Sequence, residues 1–172
     1  MPIDIDIPAA VAKLKPIYDA FEESGGLREL LRSIFEADFA LSGYPTTSDP
    51  LVANSSAVSL YLSSIEQAFY QGRPAPGRIA NDDRERVVLA LLTSQGAGRN
   101  LAIHVYLALM EGVQAVEIID ILFLSGIYSG VNLLSQSLKV ADAVFLEVVA
   151  ISATDPLPNV PDTLKRIVSK VP

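Results

Sequence analysis

Residues 82–130 read DDRERVVLALLTSQGAGRNLAIHVYLALMEGVQAVEIIDILFLSGIYSG, and their periodicity decides the fold. Val87, Val88, Leu89, Leu91 and Leu92 follow the charged triplet Arg84-Glu85-Arg86 at helical spacing. Gln95-Gly96-Ala97-Gly98 interrupts that pattern, and Asn100 to Glu111 resumes it. Gly112 stands where a C-terminal helix glycine belongs, and a third helix is predicted over Ala115 to Ser129, closed by Gly130. The protein's one histidine, His104, lies in the middle helix.

The same spacing extends outward. Val11, Leu14, Ile17, Tyr18 and Phe21 predict a helix from Pro8 to Ser24, with Pro16 either kinking it or marking its start. Gly25-Gly26 ends it, and further helices are predicted over Leu27 to Leu41 and Ser56 to Tyr70, separated by a turn-rich loop from Gly43 to Asn54. After Gly130 a helix is expected from Val131 to Ile151, then a break at Asp155-Pro156-Leu157-Pro158, then a last helix over about Asp162 to Val171. No segment alternates with period two for more than a few residues, so the chain is expected to be all-α, with about seven to eight helices.

Composition removes several function classes. The 172 residues suit one domain, and a formal net charge of −7 argues against neutralising phosphates, so neither nucleic acid nor an anionic membrane is an expected partner. Without cysteine there is no thiolate chemistry and no disulfide, and a single histidine builds no ordinary imidazole metal site, so no metal and no cofactor is expected. Apolar runs stay far below the roughly 20 residues that span a bilayer, and Met1 to Asp6 lacks the features of a signal peptide. The expected location is the cytoplasm. Hydrophobic content of 50% on helices with several apolar faces favours a homo-oligomer.

Each helical residue turns the side chain by about 100°, which places Glu85 on a line with Leu89 and Leu92, facing the core. A carboxylate there needs a partner. Two readings stay open: Glu85 closes a capping box behind Asp82, or it pairs with a functional group. His104 shares its face with Asn100 and Ala108, and imidazole is the side chain whose proton moves near neutral pH. Because the Gln95 to Gly98 break lets the second helix fold back antiparallel, Glu85 and His104 are expected within direct or one-water hydrogen-bonding reach of each other, beside a pocket. Arg84, Arg86 and Arg99 are either carboxylate binders or solvated salt-bridge partners, and Tyr128 is either a hydrogen-bond donor to substrate or a core anchor.

Taken together, Arg84-Glu85-Arg86, the glycine break, His104, Ala108-Leu109 with Gly112, Glu117-Ile118-Ile119-Asp120 and Tyr128-Ser129-Gly130 resemble the carboxymuconolactone decarboxylase and alkylhydroperoxidase D (AhpD-like) family. The resemblance covers residues 80–145, with 1–75 as an N-terminal helical extension packed on that core. It implies an AhpD-like multi-helix bundle assembled as a dimer, trimer or hexamer. In the peroxidase branch a glutamate precedes a Cys-x-x-Cys and a histidine, and Ala97 and Asn100 occupy the two cysteine positions, so the resemblance implies no thiol peroxidase. It points instead to the cysteine-free decarboxylase branch. There Glu85 and His104 are the expected catalytic pair, and Arg84, Arg86, Arg99, Asn100 and Tyr128 the expected binders of a small organic acid or lactone. The alternative is a non-catalytic oligomeric scaffold or small-molecule-binding protein of the same fold.

Overall fold

The computed structural model describes residues 6–27, Leu30 and 79–171, and among them all regular structure is helical. Six helices are defined: α1 (Ile7–Glu23), α2 (Asn81–Gln95), α3 (Gly98–Met110), α4 (Ala115–Ser129), α5 (Val131–Ser152) and α6 (Val160–Ser169). The helix expected over Ser56 to Tyr70 and the loop before it lie outside the described residues, as does most of the one expected over Leu27 to Leu41. The chain divides into two compact units, residues 1–18 with 79–172, and residues 19–78. Of the second unit, the turn after α1 is described: Ser24 Oγ donates to the Phe21 carbonyl at 2.7 Å and Gly25 takes φ +78°.

In the first unit α3 is the central element. Every residue from Leu101 to Met110 is buried, and the helix packs against α2, α4, α5 and α6. A helix apolar all round belongs inside a bundle. Its neighbours each bury apolar side chains of their own: Leu89 of α2, Ile118 and Leu122 of α4, Val140, Val144 and Val148 of α5, and Leu164 and Ile167 of α6. Full burial of each such side chain contributes about 1.5–3 kcal/mol.

Two glycine-centred turns set the course of the chain around α3. At Gly96 (φ +66°) the Ala97 N–H reaches the Leu92 carbonyl and the Gly96 N–H reaches that of Thr93, closing α2 with paired six-to-one and five-to-two bonds. The pattern repeats at Gly112 (φ +94°), where Val113 donates to Ala108 and Gly112 to Leu109. Only a residue without Cβ takes these conformations cheaply.

The first part of α1 lies against the far end of α3. Tyr18 Oη donates to Glu111 Oε1 at 2.7 Å, its ring meets that of Tyr106 edge-on at 6.2 Å, and Lys15 Nζ donates to the Met110 carbonyl at 2.9 Å. The lysine brings a positive charge to the negative end of the α3 dipole, worth roughly 0.3–1 kcal/mol. Pro16 lies inside α1, nine residues beyond its start, so it does not begin the helix. Burial alone raises the Tyr106 hydroxyl far above its ordinary pKa.

Candidate functional site

Glu85 sits in the second turn of α2, wholly removed from solvent, and its two carboxylate oxygens serve different partners. Oε1 accepts from Arg84 Nε at 2.9 Å, and Oε2 lies 2.8 Å from Nδ1 of His104. The imidazole, 5% exposed, comes from the second turn of α3, so the glycine turn at residue 96 is what brings two side chains nineteen residues apart in sequence into contact. With the carboxylate accepting at Nδ1–H, the neutral ring carries its lone pair on Nε2. That nitrogen has no hydrogen-bond partner among the described residues.

The capping alternative for Glu85 is overturned. α2 begins at Asn81, with Ala80 as N-cap and no side-chain cap bond, so Asp82 is not the cap and Glu85 lies beyond the N3 position. Asp82 is drawn instead to Arg86, four residues on, at 2.6 Å.

The three arginines separate. Arg84 is 7% exposed and engaged with Glu85 and, through NH1, with Asn81 Oδ1 at 3.2 Å. Arg86 is gripped by three carboxylates: Glu117 of α4 at 2.6 Å, Asp82 at 2.6 Å and Asp83 at 3.0 Å. The hydrogen bonds that Arg86 donates to Glu117 and Asp82 push its guanidinium further above its already high pKa. The same contacts, Arg86's hydrogen bond foremost in each case, hold the Glu117 and Asp82 carboxyls below their ordinary range. Arg99, in the first turn of α3, is exposed and makes no ion pair among the described residues. Asn100, half-buried beside it, stands four residues before His104 on the same helix.

Tyr128 is not a core anchor: it stands 86% exposed in the last turn of α4, with no hydrogen bond to His104. Ala97 and Asn100 open α3, as its N-cap and in its first turn. Two participants escaped the sequence reading. Asn81 steadies Arg84, and Thr93, two turns beyond Glu85 on the buried face of α2, has a hydroxyl with no partner among the described residues. The signal for Asn81 was its place three residues before Arg84; nothing in the sequence marked Thr93.

Among the described residues no group of three or more acidic or imidazole side chains is placed to hold a metal ion, and no helix is long and apolar enough to cross a membrane. Neither the comparison with curated proteins nor that with solved structures gives a match. The comparison with protein families does: the match begins at residue 65, upstream of the motifs quoted above, and runs through α2, α3 and α4 into α5. Residues 65–143 of this chain match the carboxymuconolactone decarboxylase family.

Proposed function

We propose that this domain is a cofactor-independent, non-redox lyase or isomerase acting on a small organic acid or lactone, with His104 as its acid and base. One observation carries the reading: a buried carboxylate holds one nitrogen of the only histidine at 2.8 Å, and the other nitrogen has no partner among the described residues. A core histidine kept for packing has no use for such a pair, because burying the carboxylate is costly.

In the decarboxylase form of the reaction, the bond from the ring carbon to the carboxylate breaks. Carbon dioxide leaves, and the electron pair stays on carbon as an enolate delocalised into the lactone carbonyl. Nε2 of His104 takes a proton from water and passes it to that carbon, the hydroxide left behind combining with the released carbon dioxide as bicarbonate, while Glu85 balances the imidazolium formed in between. Arg99 is the candidate to hold the substrate carboxylate, since Arg86 and Arg84 are already committed to protein carboxylates. It stands in the first turn of α3, whose N-cap Ala97 supplies no side-chain cap, and the positive end of the helix dipole favours an anion there. Asn100 and the exposed Tyr128 are candidate hydrogen-bond donors to the same ligand.

The test is carbon dioxide release from carboxylated lactones, and proton exchange at the carbon next to the carbonyl, in wild type and His104→Gln. The glutamine keeps much of the volume and a hydrogen bond to Glu85 but does not titrate, so activity should fall by two orders of magnitude or more with helix content unchanged. Equal rates in the two proteins would refute the assignment.

A specific feature supports self-association alongside this. Val116, Phe123, Leu124, Ile127 and Tyr128 lie along one side of α4 and continue into Val131, each between 49% and 86% exposed. They form an apolar surface of several hundred Å², approaching the ~800 Å² per partner of a standard interface. A second copy of the chain is the proposed occupant, through a two-fold contact in which the stripe meets itself. Were His104 catalytically silent, this face would serve the scaffold alternative.

A further inference from the structure

Arg84 and Glu85 are sequence neighbours on one helix, and neighbours point about 100° apart and do not normally meet. Here they do, with Arg84 Nε 2.9 Å from Glu85 Oε1 and Arg84 itself only 7% exposed. Two side chains that leave their default directions and give up water to touch have to be held there by something. On one side Asn81 Oδ1 accepts from Arg84 NH1; on the other, Glu85 Oε2 takes His104 Nδ1. Asn81, Arg84, Glu85 and His104 thus form a chain running from the first turn of α2 to the central helix, with one carboxylate oxygen for each charged or ring partner.

A carboxylate has two equivalent oxygens and can rotate about its last bond. Were Glu85 held by His104 alone, nothing would fix which oxygen the ring meets or the plane in which it meets it. The directional Nε–H of Arg84 removes that freedom. We propose that Arg84 is a positioning residue: by holding Oε1 it presents Oε2 to Nδ1–H of His104 and so selects the ring tautomer that leaves the lone pair on Nε2. The consequence for turnover rests on His104 being the acid and base of the site, whereas the tautomer itself is readable without any substrate.

Because the chain has a single histidine, its ring gives one set of signals in a long-range proton–nitrogen NMR spectrum of uniformly ¹⁵N-labelled full-length protein. At a pH where the ring is neutral, wild type should show only the form protonated at Nδ1. In Arg84→Gln that form should become a minority, with the Nε2-protonated form appearing beside it. Arg84→Lys restores charge without the fixed Nε direction and should fall between. A merely structural arginine would lower the melting temperature and leave the tautomer alone. A wild-type spectrum dominated by the Nε2-protonated form overturns the proposal at once, and so does a folded Arg84→Gln with an unchanged ring. Should Arg84→Gln not fold, Arg84→Lys carries the comparison, and a ring spectrum identical to wild type overturns it. Failure of the tautomer test leaves His104→Gln free to abolish activity, and inactivity of wild type on every lactone leaves the tautomer result intact, so the two readings fail separately.

Discussion

Gly126→Ala should destabilise the protein, against the direction that helix propensity alone would give. Gly126 lies inside α4, where replacing glycine by alanine ordinarily adds about 1 kcal/mol. At this position a Cβ would meet Leu134 of α5 at 2.6 Å from its Cβ and 2.9 Å from its Cα. Carbon atoms rest about 3.5–4.0 Å apart, so the two helices would have to separate by about 1 Å. The obstructing atoms are backbone and first side-chain carbon, which no rotamer change moves aside, and α4 and α5 are joined by Gly130 alone, which leaves little slack. Overpacking of this kind costs about 3 kcal/mol at the upper end of its usual range. Less the propensity gain, the net loss is about 2 kcal/mol, or a fall in Tm of about 4–8 °C for a chain of this size. Thermal melts followed by circular dichroism at one fixed protein concentration measure it, since an associating protein melts higher when concentrated. A Tm equal to or above wild type would show that the α4–α5 approach is not as close as described, and with it the reason for glycine at this place would go.

Three further outcomes are expected. Because Glu117 titrates below its ordinary 4.5 when paired with Arg86, the stability it contributes is complete above that pH and lost as the pH falls through the lower native value; urea midpoints should therefore drop more steeply below about pH 4.5 in wild type than in Glu117→Gln, and parallel acid limbs would refute the contribution. Dithiol-coupled reduction of an organic hydroperoxide should not exceed a no-protein blank, because the chain contains no cysteine, and turnover lost on denaturing the protein would show another group at work. Light scattering should give a mass above 18.4 kDa at micromolar concentration, and Leu124→Asp with Ile127→Asp should return it to one chain without loss of helix; a wild-type monomer would defeat the α4 interface.

The meeting of Glu85 with His104 was legible because it needed only helical phase and a turn. Glu85 shares a line with Leu89, both are buried, and the glycine at residue 96 reverses the chain within two residues. What Glu85 does with its second oxygen was not legible, because the periodicity that placed it also placed Arg84 about 100° away. The capping reading failed by a small margin: α2 starts at Asn81, just before the acidic pair, and that shift is enough to carry Glu85 past the capping position. Boundaries of this kind depend on where backbone donors find partners, which periodicity does not record. The core-anchor alternative for Tyr128 failed for another reason. An apolar stripe at spacings of three and four looks the same whether it faces the core of its own chain or lies open, and on α4 the stripe through Phe123 and Ile127 is open.

The triplet Arg84-Glu85-Arg86 therefore does two separate jobs on one turn of helix. Three consecutive residues fan over about 200°, so they cannot all face the same way. Arg84 and Glu85 converge on the buried side, where Glu85 reaches His104 of α3, whereas Arg86 lies at the rim and takes Glu117 of α4 thirty-one residues along the chain. The motif thereby fastens α2 to the helix that carries the imidazole and to the helix that carries the open apolar stripe. Removing the outer arginine should loosen α4 while leaving the Glu85–His104 contact in place, since it shares no hydrogen bond with Arg86. Removing the inner one strips a buried carboxylate of its counter-charge, and leaving one partner of a buried pair alone costs about 3–5 kcal/mol. The two arginines look interchangeable in sequence, but burial makes the inner one the more expensive to lose and the only one placed to govern the ring.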